Sequence, residues 1–199
     1  MGARSTAEFI RMIAVGAIPV IFAITLHEVA HGRMARHFGD RTAEMLGRLS
    51  LNPLRHVDPL GTVVVPLLTL WLGGLLFGWA RPVPINPRAM RSPRHAMVAV
   101  AAAGPAANLA MALGWALALR LASSLLVTAP GAGEFLWRMS EIGIFINVLL
   151  MIFNLLPILP LDGGRVLRGL VPEPIGRRLD ALEPYGLIIV LGLLFLGAF

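Results

Sequence analysis

Apolar residues along this chain fall into long runs parted by short polar segments rich in proline, glycine and arginine. The first run, Ile10 to Leu26, is interrupted only by Arg11 and Thr25, and its pattern predicts one helix from about Ala7 to Phe38, ended by Gly39-Asp40. A polar stretch follows, holding Arg41, Glu44, Arg48, Asn52-Pro53, Arg55-His56 and Asp58-Pro59. Gly61 to Gly78 is apolar and long enough to cross a bilayer, but Pro66 and Gly73-Gly74 divide it into pieces. The alternating prolines of 79–87 forbid a helix and favour an extended, strand-like or loop segment.

A third run, about Ala96 to Val127, is dense in alanine and glycine, which lets helices approach closely. Pro130, Gly131 and Gly133 predict a loop, and a further span runs from about Phe135 to Leu156. That span ends in Asn154-Leu155-Leu156-Pro157-Ile158-Leu159-Pro160-Leu161-Asp162-Gly163-Gly164-Arg165, whose prolines and glycines break the helix within or near the membrane. After a loop with Pro172, Pro174, Arg177 and Arg178, the last run, Pro184 to Phe199, is only just long enough to cross. The pattern as a whole predicts an all-α polytopic membrane protein. It has about four transmembrane helices, a re-entrant or surface-lying element at 61–78 and a short extended, β-like segment at 79–87, in a single domain over 1–199.

Composition sharpens this picture. Of 199 residues 57% are hydrophobic and 14% charged, more apolar surface than a soluble domain of this size could hide. Cysteine is absent, so disulfides and thiolate-held metals are excluded and any metal must sit on His and carboxylate groups. All 17 basic residues are arginine and give a formal charge of +6, but they cluster between apolar runs, where they read as topology signals, not as a nucleic-acid surface. No nucleic-acid partner is expected; the bilayer is. Arg4 and Arg11 ahead of an apolar run resemble a secretory signal, yet cleavage near Ala23 would detach the next feature from its helix, so a retained anchor is expected.

That feature is Leu26-His27-Glu28-Val29-Ala30-His31, an H-E-x-x-H sequence at the end of the first run. Residues four apart share a helix face, so His27 and His31 can reach one metal ion, while Glu28, about 100° round the helix, can touch a water on that ion. Two imidazoles and a carboxylate are costly in lipid unless they bind something; a satisfied histidine pair at a helix end is the plain alternative. Hydrolytic zinc takes three protein ligands and leaves a fourth position open. Asp162, in a helix break that could turn it inward, is the candidate third ligand, against a helix-end aspartate facing water.

H-E-V-A-H, the later A-G-P-A-A-N and the N-x-x-P-x-x-P-L-D-G-G-R of 154–165 together resemble the site-2 protease family of intramembrane zinc metalloproteases. Residues 47–53, 58–61 and the G-W-A-R-P-V-P-I-N-P segment resemble its short bacterial members, so the likeness runs over nearly the whole chain in order. The resemblance implies that His27, His31 and Asp162 ligate one zinc and that Glu28 is the general base. It supports a place near the active centre for Asn154. The substrate it implies is a single-span membrane protein, such as an anti-sigma factor or a remnant signal peptide, already trimmed by another protease. There is no room for the PDZ or CBS domains of some relatives.

Both halves of such a site must meet at one depth. If the first helix ends on the cytoplasmic side, the Asp162 span ends there too, the two runs between form a hairpin, and 61–78 cannot cross an odd number of times. Thirteen arginines (33–55, 81–94 and 165–178) then lie inside against Arg4, Arg11, Arg120 and Arg138 outside, which obeys the positive-inside rule. A bacterial cytoplasmic membrane with the site toward the cytoplasm is the expected setting. Asn154, two turns before Asp162, could donate to the developing oxyanion or to substrate backbone. Asn108 and Asn147 read equally well or better as interhelical contacts; His56 could approach the metal or the transition state, but reads more readily as a solvated loop histidine, and His37 and His95 as membrane-edge residues. The 79–87 segment is a candidate edge for an unwound substrate, or a plain surface loop. Two other functions fit less well: a metal transporter or sensor, which would show further carboxylates along the spans, and a structural scaffold, which needs neither His nor Asp.

Overall fold

The computed structural model describes residues 3–56, 58–64, 68 and 81–195. Its α-helices are α1 (Ala3–His37), the single turn α2 (Thr42–Met45), α3 (Pro93–Thr128), α4 (Pro130–Asn154), α5 (Asp162–Leu170) and α6 (Glu173–Phe195). Among the described residues there is no β-strand. Among the described residues three helical stretches, Val15–His37, Pro93–Thr128 and Pro130–Asn154, are long and apolar enough to cross a bilayer, and the chain is an all-α membrane protein. The sequence pattern suggested about four. The fourth run of that pattern falls in α6, which begins at Glu173 instead of Pro184 and carries Glu173, Arg177, Arg178, Asp180 and Glu183 along its first half.

α3 is the helix on which the others are assembled: it packs against α1, α4 and α5. Ala96, Val100, Gly104, Asn108 and Ala112 are all buried on it, one every fourth residue, and this narrow line of mostly small side chains is the groove in which α1 lies. At one end the core is closed by Ala35, Met90, Ala96 and Val100, with Met34, Phe38, Ile85 and Met97 against them. The N–H of Arg91 donates to Phe38 O at 2.8 Å, so the last turn of α1 and the first of α3 lie side by side.

Two expectations change here. The loop expected at Pro130, Gly131 and Gly133 is the first turn of α4, and Ala129 alone separates the two long helices. Proline is pre-set for the first helical position, and Gly133 fits against the backbone of Leu125 and Leu126, where a Cβ would clash. The segment expected to be strand-like is irregular over 81–86, without strand partners among the described residues. Trp79 and Ala80 lie outside those residues, as does most of the 61–78 element, of which 61–64 belong to a wide helical turn, Pro59–Val64.

Side chains from other elements suspend the 81–86 segment. Arg81 N–H donates to His56 O at 2.9 Å, and the buried Arg48 reaches Arg81 O at 2.6 Å. The buried Asp40 accepts from Asn86 N–H at 2.6 Å and Thr42 N–H at 2.9 Å. Burial alone would raise the Asp40 pKa; the Thr42 hydroxyl and these two N–H groups outweigh it and hold the carboxyl below its ordinary value.

Candidate metal centre

His27 and His31 stand one turn apart on α1, both buried, with ring centroids 4.6 Å apart and planes nearly perpendicular. α3 fixes each ring from behind. His31 Nδ1 lies 2.7 Å from Val100 O, a carbonyl that can only accept, so Nδ1 carries the hydrogen and Nε2 presents a lone pair. His27 Nδ1 lies 2.6 Å from Asn108 Oδ1 and takes the same tautomer. The two Nε2 atoms are 3.0 Å apart and face inward.

Asp162 completes the cluster. Its Oδ2 lies 3.2 Å from His27 Nε2 and 3.3 Å from His31 Nε2. That oxygen is buried with no hydrogen-bond donor. With both Nδ1 atoms protonated, three acceptors converge with no proton among them, an arrangement that a cation bound between them relieves. Two imidazole nitrogens and one carboxylate oxygen, all within 4.8 Å of one another, form a donor set suited to zinc with a position left open. The fit thus rests on the chemistry of the donors and on the orphaned oxygen.

The helix break delivers Asp162. After α4 the chain turns through 155–161, where Leu156 N–H donates back to Phe153 O of α4 and the Ile158 and Leu161 N–H groups find carbonyls within the turn, so much of the interrupted backbone is satisfied locally. α5 then starts at Asp162 itself. Gly163 and Gly164 lie against the backbone of Leu155–Leu159, where any Cβ would overlap main-chain atoms, so the two glycines let α5 press close enough to aim the aspartate inward. Arg94 of α3 holds the other end of α5, donating to Gly169 O at 2.8 Å and Val171 O at 2.6 Å. Arg168 ties α5 to α6 through Asp180 at 2.8 Å and Glu173 at 2.9 Å, and these carboxylates stabilise its charge.

Glu28, half-buried beside the cluster, accepts from Val83 N–H at 2.8 Å through Oε2. Asn154 ends α4 and donates to Leu150 O at 2.9 Å, within its own helix. His56 departs from the solvated residue expected: it is buried, bonded through Nε2 to Ser50 O at 2.9 Å, and braces the loop. His37 and His95 are exposed. Of two further residues that touch the histidines, sequence reasoning left the role of Asn108 open and passed over Gly104. Asn108 orients His27, and Gly104 lies so close to both imidazoles that a Cβ there would overlap them. The A-G-P-A-A-N string contains both, at the four-residue spacing of one helix face.

Comparison with known proteins places the chain in a family. The family model described as peptidase family M50 matches residues 127–197. The chain is similar to "Putative zinc metalloprotease YwhC" of Bacillus subtilis, 41% identical over 175 residues that cover 87% of this chain and 77% of the relative. It is also similar to "Putative zinc metalloprotease Rip2" of Mycolicibacterium smegmatis, 32% identical over 178 residues, 89% of this chain and 65% of that protein. The Rip2 of Mycobacterium tuberculosis strain H37Rv is 31% identical over 177 residues, 89% and 64% of the two chains. No solved structure gives a significant match. The chain belongs to peptidase family M50.

Proposed function

We propose that this chain is a zinc metalloprotease that hydrolyses a peptide bond within or beside the transmembrane segment of a single-span membrane protein. The observation that carries the reading is the meeting of one ligand atom each from His27, His31 and Asp162 within 4.8 Å of one another, among helices able to cross a bilayer, with Glu28 next to His27 in the chain. The M50 family and the names of the relatives support it.

In this reading His27, His31 and Asp162 hold one zinc per chain. Zinc bound there would lower the pKa of a water and polarise the scissile carbonyl. Glu28 is the general base: it takes the proton from the attacking water and passes it to the leaving amine. Its Oε2 is held by Val83 N–H, so its orientation is set by the same loop that flanks the site. For Asn154 to steady the oxyanion, its amide must turn away from Leu150 O. A helical substrate must unwind before its carbonyls are accessible, and the suspended 81–86 segment is where the unwound stretch lies. Pro82 and Pro84 lack N–H groups, so along that edge the segment chiefly accepts. α6 completes a fourth crossing. The arginine-rich end, carrying the ends of α1 and α5 and the start of α3, faces the cytoplasm of a bacterial cell.

The test is zinc content and cleavage of co-expressed single-span reporter segments by the parent and by Glu28→Gln. The variant is expected to keep about one zinc per chain and lose at least ~100-fold in cleavage rate. Retained cleavage removes Glu28 from the mechanism. A parent that binds zinc but cleaves none of a broad reporter panel, while moving metal across vesicles, favours a transporter instead.

A further inference from the structure

Behind His27, away from the metal side, a line of buried amides runs across α3 into α4. Asn108 and Asn147 are fully buried. Asn147 Nδ2 donates to Gly143 O at 2.8 Å, and Asn147 Oδ1 accepts from Asn108 Nδ2 at 2.9 Å. Asn108 Nδ2 also lies 3.4 Å from Ala23 O, and Asn108 Oδ1 meets His27 Nδ1. The line has a direction that chemistry fixes. A peptide carbonyl can only accept, so Gly143 O demands the NH₂ end of Asn147, which turns its oxygen toward Asn108. Asn108 must then offer its NH₂ to that oxygen and its own oxygen to His27.

The alternative orientation has a chemical consequence. With Asn108 reversed, its NH₂ would donate to His27 Nδ1 and the ring hydrogen would move to Nε2. There it would point at Asp162 Oδ2, 3.2 Å away, and satisfy that oxygen without any metal. The same three side chains would then form a closed hydrogen-bonded cluster. Which state forms depends on which end of the Asn108 amide faces His27; Ala23 O favours the observed one through a long contact of 3.4 Å, and Asn147 enforces it through the shorter bond of 2.9 Å.

We propose that Asn147 is a positioning residue that, through Asn108, holds His27 in the tautomer whose Nε2 is free to bind metal. The proposal rests on His27 being a zinc ligand, and its test separates the two. The full chain is purified in detergent and its zinc affinity measured by competition with a chromogenic chelator. Cobalt(II) replaces zinc for proton NMR, where ligand imidazole N–H signals are shifted clear of the rest and their exchange with solvent can be followed. Asn147→Leu is expected to weaken zinc binding about 10-fold or more and to speed exchange of the His27 N–H while leaving that of His31, bonded to Val100 O, unchanged. Asn147→Ser serves if the leucine variant does not fold.

Asn108→Asp supplies the decisive background, because a carboxylate presents an acceptor to His27 whichever way it turns. There, Asn147→Leu should change zinc affinity by less than about twofold, since the orientation it enforced is no longer needed. Equal loss in both backgrounds would mean that Asn147 acts by packing alone and would overturn the proposal. So would unchanged affinity and exchange in the single variant. If His31→Ala and Asp162→Ala keep full zinc affinity, the ligand assignment itself fails, whatever Asn147 does.

Discussion

Gly104 faces both imidazoles at contact distance, which makes it the most sensitive small residue of the site. Gly104→Ala puts a methyl group where the two rings stand, and an overpacked core typically costs about 1–3 kcal/mol. Here the rings must move apart, so the expected result is a fall in zinc affinity of about 10–100-fold with helix content kept, measured by chelator competition and circular dichroism. At this scale the sequence was informative where spacing alone defines chemistry. His27, Glu28 and His31 declare themselves because four residues make one helical turn, and Asp162 because an acidic group in a helix break has few reasons to be there. Asn108 and Gly104 were not legible in the same way. Their role exists only once α1 crosses α3, and nothing local distinguishes an asparagine that orients a histidine from one that joins two helices.

Among the elements, α5 is the one whose placement matters beyond its size. It has nine residues, begins with Asp162, and its far end is held by Arg94, a side chain of α3 that bonds carbonyls left without helical donors. Arg94→Ala removes those bonds at a cost of about 1 kcal/mol, and the first turn of α5 is expected to loosen with the last. The measurable outcome is faster zinc release to a chelator with Asp162 intact, partly restored in Arg94→Lys, whose single ammonium keeps the charge and donors but lacks the spaced fork that reaches both carbonyls. Unchanged release would show that the glycine contacts at Gly163 and Gly164 suffice. The long helices were legible from hydropathy. The one-residue turn at Ala129 was not, because proline and glycine mark loops and first helical turns alike, and only the closeness of α3 and α4 at Gly133 decides between them. The extra length of α6 was hidden by its charges, of which Glu173 and Asp180 pair with Arg168 and Glu183 with Arg165 of α5 instead of ending the helix.

For the molecule as a whole, metal and fold are coupled, since the ligands come from α1 and α5 and are aligned by α3. A ligand that binds only the folded state adds about 2.7 kcal/mol when present at about a hundredfold its Kd. Stripping zinc with a chelator is therefore expected to lower the melting temperature of the parent in detergent by several degrees and to leave Asp162→Ala nearly unmoved, as read by thermal scanning of tryptophan fluorescence. Equal melting with and without chelator would mean that the helices hold the cluster together unaided. The gathering of arginines at one end could be read from the sequence because it follows from chain order. That the same end holds the suspended 81–86 segment over Glu28 could not, since that contact joins residues 55 positions apart.

The two histidines are held by unlike means: His27 leans on a side chain and His31 on the peptide carbonyl of Val100. A library of single substitutions along α3 would therefore report the support of one histidine and be blind to that of the other. Tolerance at position 100 would not mean that the position is idle. Its contribution is written in the main chain, and only a change that bends or shifts α3, or an ester in place of the amide, would reveal it.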